Sequence, residues 1–140
     1  MAASETDICT GVMLIAHGSR RPAANADLLE LVELLVSRGG YSLVEPAFLE
    51  LAEPTIPQAA KTCVRRGARR ILMLPFFLSA GNHVTIDLQR YAREFAMEFP
   101  RAEFVVCPPL GLHPLMLEIV EDRLQQGRAQ TAVDSTEGGD

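Results

Sequence analysis

Short apolar runs alternate along the chain with segments in which apolar residues recur every three or four positions. Continuous runs such as GVMLIA are typical of buried strands, whereas the longer spacing is typical of amphipathic helices. The pattern predicts strands at residues 11–16, 42–49, 70–77 and 103–107, and helices at 22–38, 54–66, 84–98 and 114–124. We therefore expect an α/β fold, a single-domain three-layer sandwich around a four-stranded, mostly parallel sheet with right-handed crossovers.

Proline and glycine mark the ends of the predicted helices. Prolines stand at three helix starts and glycines follow two helix ends: Pro22, Pro54, Pro114, Gly39 and Gly67. The apolar pattern fades after Gln125. We therefore expect an N-terminal extension at 1–10, a folded domain at 11–124 and a disordered tail at 125–140.

Composition argues against several classes of protein. The 140 residues are 48% hydrophobic with a formal charge of −5. The sequence lacks a stripe of basic residues, so we do not expect a nucleic-acid partner. The three scattered cysteines, Cys9, Cys63 and Cys107, argue against a disulfide framework or a thiolate zinc site. The N-terminus lacks the cationic region of a secretory signal, and no apolar run approaches the ~20 residues of a membrane span. We expect a soluble, cytoplasmic protein.

Polar residues with metal-binding chemistry follow every predicted strand. His17, Glu50, His83 and His113 come after strands one to four, so all three histidines fall at one edge of the sheet. Ligands bind beyond the carboxyl ends of parallel strands. Two histidines and a carboxylate there form a ligand set for a divalent first-row metal such as iron, cobalt, nickel or zinc.

Glycines stand beside two of these histidines. Gly18 and Gly81 are expected to relieve crowding and to let a ligand approach the backbone closely, although ordinary turn chemistry explains them equally well.

Other site motifs are missing or incomplete. The phosphate-binding patterns GxxxxGK[ST] and GxGxxG are absent, as is the hydrolase pattern GxSxG. LIAHGSRR resembles the segment that histidine phosphatases carry after their first strand, but Ala16 stands where their arginine would be. A histidine-phosphatase-like hydrolase and a non-catalytic tetrapyrrole or metal carrier remain alternatives.

Three segments in order resemble the CbiX/SirB family, the small class II sirohydrochlorin chelatases. They are LIAHGSR (14–20), FLELAEPTI (48–56) and PFFLSAGNHVTIDL (75–88), and PLGLHPL (109–115) follows the fourth strand. The resemblance covers about residues 11–124. It implies insertion of Co²⁺ or Fe²⁺ into sirohydrochlorin in cobalamin or siroheme biosynthesis. The family also includes nickel-inserting relatives and double-length members with two such domains.

The resemblance also assigns site residues. His17 and His83 would carry the metal chemistry and pyrrole deprotonation, with Glu50 as third participant. The candidate substrate contacts come from the same segments: Ser19, Arg20, Leu78, Ser79, Ala80, Gly81 and Asn82. No cofactor is expected beyond the metal substrate, Co²⁺, Fe²⁺ or Ni²⁺, among which these ligand types do not choose.

Five neighbouring charged or polar residues receive weaker assignments. Arg20 and Arg21 either pair with substrate carboxylates or form a solvated pair at a helix start. His113 is expected at the rim of the site. Asp87 would lie in the first turn of the third helix, where a carboxylate suits the helix dipole, and Glu53 would cap the second helix before Pro54.

The single copy of these motifs raises the question of assembly. A tetrapyrrole is a wide plate that needs walls on both faces, and a symmetric homodimer would supply the second wall. Leu115, Leu117 and Ile119 on the last helix are candidate contacts, although burial in the domain's own core is the stronger expectation for most of them.

Overall fold

The computed structural model describes residues 9–130, in which four strands alternate with four helices. The elements are β1 (Thr10–Ala16), α1 (Pro22–Arg38), β2 (Leu43–Phe48), α2 (Ile56–Arg65), β3 (Arg70–Pro75), α3 (Asn82–Glu98), β4 (Glu103–Val106) and α4 (Pro114–Ala129). The strands form one parallel sheet in the order β2-β1-β3-β4. The α/β prediction is therefore confirmed, and all four carboxyl ends meet at one edge.

The alternation of side chains along β1 divides the core into two parts. Met13 and Ile15 join a cluster formed with α2 and α3, whereas Val12 and Leu14 join a smaller cluster with Leu28 of α1. The buried residues of the described part of the chain are apolar, and no charged or polar side chain is buried with them. In residues 9–130 the interior is therefore packed by apolar side chains, while the charged side chains lie at or near the surface.

The start of α2 differs from the prediction. Helix α2 does not begin at Pro54; Thr55 caps it, with its Oγ1 accepting the Gln58 N–H at 3.3 Å and its own N–H donating to Gln58 Oε1 at 2.8 Å. This reciprocal pair is a capping box, which satisfies two backbone donors that the helix itself leaves unpaired. Glu53 is therefore not the cap; its Oε1 accepts a hydrogen bond from Gln58 Nε2 at 3.4 Å.

The last helix also departs from expectation. Helix α4 continues to Ala129, so the prediction of disorder from residue 125 is wrong for 125–129; helix-favouring residues such as Gln125 and Arg128 carry it on. The rest of that predicted tail, 131–140, lies outside the described residues, as do residues 1–8 of the expected extension. None of the residues of α4 is buried within the described chain, so the expected core burial of its apolar side chains is also wrong.

None of the four helices in residues 9–130 is both long enough and apolar enough to span a bilayer.

Candidate active site

His17 and Glu50 meet just beyond the ends of β1 and β2. Two backbone bonds join the chain here: the Leu49 N–H donates to Ala16 O at 2.9 Å and the Glu50 N–H donates to His17 O at 3.0 Å. The side chains meet as well, with His17 Nε2 2.9 Å from Glu50 Oε1. Their side chains remain 61% and 56% exposed, so the pair faces solvent at the open edge of the sheet.

Gly18 makes this close approach of the two chain segments possible. Its φ of +101° is a conformation that residues with a side chain rarely adopt. A β-carbon at this position would also overlap the carbonyl oxygen of Glu50. The expectation that Gly18 relieves crowding is confirmed, and the crowding comes from the backbone that presents Glu50.

Ser19 fixes the segment after Gly18 to the first turn of α1. Its N–H donates to Asn25 Oδ1 at 3.0 Å, and Asn25 Nδ2 donates back to Ser19 O at 2.7 Å. Ser19 Oγ accepts the Arg21 N–H at 3.1 Å. Arg20 and Arg21 are both exposed. The sequence prediction missed Asn25, whose signal was an amide residue close to a helix start, where such side chains bond the backbone.

His83 lies in the first turn of α3 and not in a loop before it. Helix α3 begins at Asn82 rather than at residue 84, and Gly81 is its N-cap. Gly81 has φ −66° with no atom within 4 Å of a β-carbon placed there, so both the expected relief of crowding and the turn-chemistry explanation are wrong for this glycine. The earlier helix start also places Asp87 beyond the first turn of α3. There its carboxylate lies 3.7 Å from the Arg90 guanidinium.

The other predicted substrate contacts line the approach to His83. Leu78, Ser79, Gly81, Asn82 and His83 are exposed, and Ala80 is partly buried. Leu78 shows 65% of its surface.

The three predicted reacting residues share an edge but do not form a closed cluster. Strand β3, which leads to His83, lies beside β1, which leads to His17. Within residues 9–130 no group of three His, Cys, Asp or Glu side chains is close enough together to hold a metal ion. The structure therefore brings His17 and Glu50 together and leaves His83 on the same edge, outside their contact.

His113 caps the last helix. It is the N-cap of α4, and its Nδ1 accepts the Leu115 N–H at 3.1 Å. Since β4 lies next to β3, the residue is at the predicted edge, but one ring nitrogen is already engaged with the backbone.

A shallow cavity of about 430 Å³ lies away from these residues, between the ends of α2 and α3. Arg69, Glu98 and Arg101 line it together with apolar side chains. It opens where β3 and β4 begin, which is the edge opposite to the histidines, so it does not belong to the candidate active site.

Comparison with known proteins decides the family. The CbiX family model matches residues 11–127. The chain belongs to the CbiX family. This CbiX chain is 39% identical over 127 residues to the chloroplastic sirohydrochlorin ferrochelatase of Arabidopsis thaliana, covering 91% of the chain and 56% of that relative. It is 30% identical to a sirohydrochlorin cobaltochelatase of Methanopyrus kandleri, covering 82% of the chain and 94% of that relative.

The CbiX fold is also shared with a solved structure. The sirohydrochlorin chelatase SirB from Bacillus subtilis in complex with cobalt superposes with a TM-score of 0.78 at 25% identity, covering 85% of this chain and 51% of that one. The chain thus spans about half the length of the Arabidopsis and Bacillus proteins but nearly all of the Methanopyrus protein.

Proposed function

We propose that this chain inserts a divalent metal ion, Co²⁺ or Fe²⁺, into sirohydrochlorin, with His17, His83 and Glu50 as the reacting side chains. The observation that carries the proposal is the exposed contact between His17 and Glu50 at the carboxyl edge of the sheet, where α/β folds bind ligands. The names of the relatives, which are ferrochelatases and cobaltochelatases of sirohydrochlorin, support the same reaction.

The geometry suggests how His17 and Glu50 divide the work. A carboxylate only accepts hydrogen bonds, so in neutral His17 the proton lies on Nε2, which is 2.9 Å from Glu50 Oε1. Nδ1 then keeps its lone pair and is free to bind the metal ion or to accept a pyrrole proton. Carboxylates hold metal-binding histidines in this way in many sites, and the negative charge of Glu50 would balance part of the charge of the ion.

His83 would act from the neighbouring strand end. Because it is exposed and lies outside the His17–Glu50 contact, it can accept the second pyrrole proton or hold the ion from another side. Binding of the macrocycle between these side chains would bring His17 Nδ1 and His83 to one metal ion, with Glu50 held against His17 Nε2.

The surroundings suit a wide anionic substrate. Arg20 and Arg21 are exposed next to the site and can hold substrate carboxylates as planar forks. The N-terminus of α3 at Gly81 favours negative charge, and exposed Leu78 offers an apolar contact for the ring.

The proposal also covers the choice of metal ion, the assembly of the chain and its compartment. Imidazole and carboxylate accept Co²⁺, Fe²⁺ and Ni²⁺ alike, so supply selects the ion, and no cofactor beyond the metal substrate is needed. The active form is a homodimer whose second subunit provides the other wall for the macrocycle. Free thiols at Cys9, Cys63 and Cys107 suit a reducing compartment such as the cytoplasm.

Anaerobic incubation with sirohydrochlorin and each of Co²⁺, Fe²⁺ and Ni²⁺ tests the proposal. A chelatase gives an absorption change whose rate is proportional to protein concentration and which continues through many turnovers. Product that stops at one equivalent per protein would instead identify a carrier. Rates equal to those without protein, for all three ions, would contradict the proposal.

A further inference from the structure

Leu51 has an uncommon backbone conformation next to the reactive pair. Within residues 9–130 it alone, among residues with a side chain, has a positive φ, of +65°. This left-handed region is costly for a bulky residue, whereas glycine adopts it freely. Leu51 directly follows Glu50, whose carboxylate meets His17. Backbone strain of this kind is concentrated at functional sites, and here it adjoins the candidate active site.

Backbone bonds on both sides of Leu51 hold it in this conformation. Before it, the Glu50 N–H donates to His17 O at 3.0 Å. After it, the carbonyl oxygen of Pro54 accepts the Phe48 N–H at 2.9 Å and closes the turn. Because these bonds join main-chain atoms, the turn does not depend on the side chain at position 51.

The side chain of Leu51 also adds little to the core. Its neighbours Leu49 and Ala52 pack against the two buried clusters, but Leu51 belongs to neither cluster. It shows 51% of its surface. Glycine or asparagine would adopt the same turn at lower cost. The packing of residues 9–130 therefore gives no reason for a leucine here, and its apolar surface is available to a ligand.

A second exposed leucine occupies the equivalent place after β3. Leu51 lies three residues beyond Phe48, the end of β2, and Leu78 lies three residues beyond Pro75, the end of β3. Because β2 and β3 pair with opposite sides of β1, the two leucines follow the strands that flank His17. Neighbouring strands lie about 4.8 Å apart, so β2 and β3 are separated by about 10 Å. A flat macrocycle of four pyrrole rings centred over His17 would reach both strand ends.

We propose that Leu51 is a substrate-contact residue whose side chain packs against the tetrapyrrole ring, across His17 from Leu78. The identity of this ligand rests on the proposed function; the contact itself is additional to the histidines and Glu50. Apolar side chains pack against flat ring ligands and exclude water from them. Because the turn already fixes the backbone of Leu51, little conformational entropy is lost there when the ring binds.

Titration of the metal-free protein with sirohydrochlorin, followed by absorption, tests the contact. Leu51→Gly and Leu51→Asn should each weaken binding about fivefold, because about half of the leucine surface remains for a ligand to cover. Leu51→Met keeps an apolar side chain of similar volume and should bind nearly as tightly as the wild type. Leu34→Asn is the matched control, since Leu34 is a 59% exposed leucine on α1, and it should leave the affinity unchanged.

Thermal melts and insertion kinetics distinguish the contact from a structural role. Glycine and asparagine accept the left-handed conformation more readily than leucine, so both variants should melt at or above the temperature of the wild type. In the insertion assay the KM for sirohydrochlorin should rise about fivefold while kcat stays the same, as for loss of a contact made equally before and during the reaction. A lower melting temperature for both variants would show that Leu51 serves the fold and would overturn the contact. Unchanged affinity in both, or an equal loss in Leu34→Asn, would overturn it as well.

Measuring binding and insertion separately keeps the Leu51 contact distinct from the proposed function. If the wild-type chain binds sirohydrochlorin but inserts no metal, the proposed function fails, and the titrations of the Leu51 variants still decide the contact. If insertion is normal and every Leu51 variant binds like the wild type, the contact alone fails. A wild-type chain without affinity for sirohydrochlorin would overturn both.

Discussion

His17 and Glu50 are joined twice, through the backbone bond from the Glu50 N–H to His17 O and through the side-chain contact of Nε2 with Oε1. The first bond lies just beyond the last paired residues of β1 and β2, Ala16 and Phe48, so the strand ends set the distance between the two side chains. The reactive pair therefore depends on backbone geometry at Gly18 as much as on the identities of His17 and Glu50.

Gly18→Ala is expected to destabilise the fold and to disturb the pair. A positive φ costs a residue with a side chain about 1–3 kcal/mol, and the overlap with Glu50 O adds to that. Gly67→Ala is the matched control, because Gly67 has a similar φ of +96° with nothing within 4 Å of an added β-carbon. Thermal melts of both variants should show the larger loss for Gly18→Ala; equal losses would refute the overlap.

Loss of either reacting histidine should stop metal insertion without unfolding the chain. Both side chains are exposed, so His17→Ala and His83→Ala remove no core packing. We expect insertion rates to fall about 100-fold or more, the range for loss of a general base. Circular dichroism should stay that of the wild type. A folded His83→Ala protein that inserts metal at the normal rate would remove His83 from the mechanism.

His113→Asn is the matched histidine control. Asparagine retains a side-chain acceptor for the first turn of α4, so the cap on Leu115 survives. We expect nearly normal insertion, whereas a loss as large as that of His83→Ala would move His113 from the rim into the reacting group.

Glu50→Gln should slow insertion while metal binding persists. The amide oxygen can still accept the His17 hydrogen bond, but the charge that balances the metal ion is lost. Equilibrium binding of Co²⁺, measured by its absorption, separates this effect from loss of the site. Glu53→Gln is the same change three residues further on at another exposed carboxylate, and it should leave the rate unaltered.

Cys63 should be chemically silent in the folded protein. Burial raises the pKa of its thiol to about 12, from a usual value of 9.0. Above pH 9 the unfolded chain releases this proton and the folded chain keeps it, so stability should decline as pH rises from 9 towards 12. Urea melts across that range should show the decline, and Cys63→Ala should reduce it. Thiol reagents at pH 8 should label exposed Cys9 first; rapid labelling of Cys63 would contradict its burial.

The strands were predictable because continuous apolar runs of this length are typical of buried strands. The run at 11–16 became Thr10–Ala16, and the residues that follow each strand fell at the predicted edge. Helix starts were less predictable, since Pro54 signals a turn as well as a helix and the choice depended on the side-chain bond of Thr55. Similarly, Gly81 in an extended conformation began α3 two residues early.

Two features depended on three-dimensional relations that spacing does not contain. The period of α4 reveals an apolar face but not whether that face meets its own sheet or another surface. The contact of His17 with Glu50, and the separate position of His83, depend on side-chain directions at the ends of adjacent strands. Sequence reasoning could place these residues on one edge of the sheet, but it could not give the distances between their side chains.

The apolar character of the core has a consequence for the evolution of the edge that carries the histidines. In residues 9–130 no buried charge links the interior to the edge that carries His17, Glu50 and His83. Substitutions among these exposed side chains therefore leave the folding of the domain almost untouched. A lineage could alter the side chains at this edge by a few changes, with each intermediate sequence still folded and open to selection.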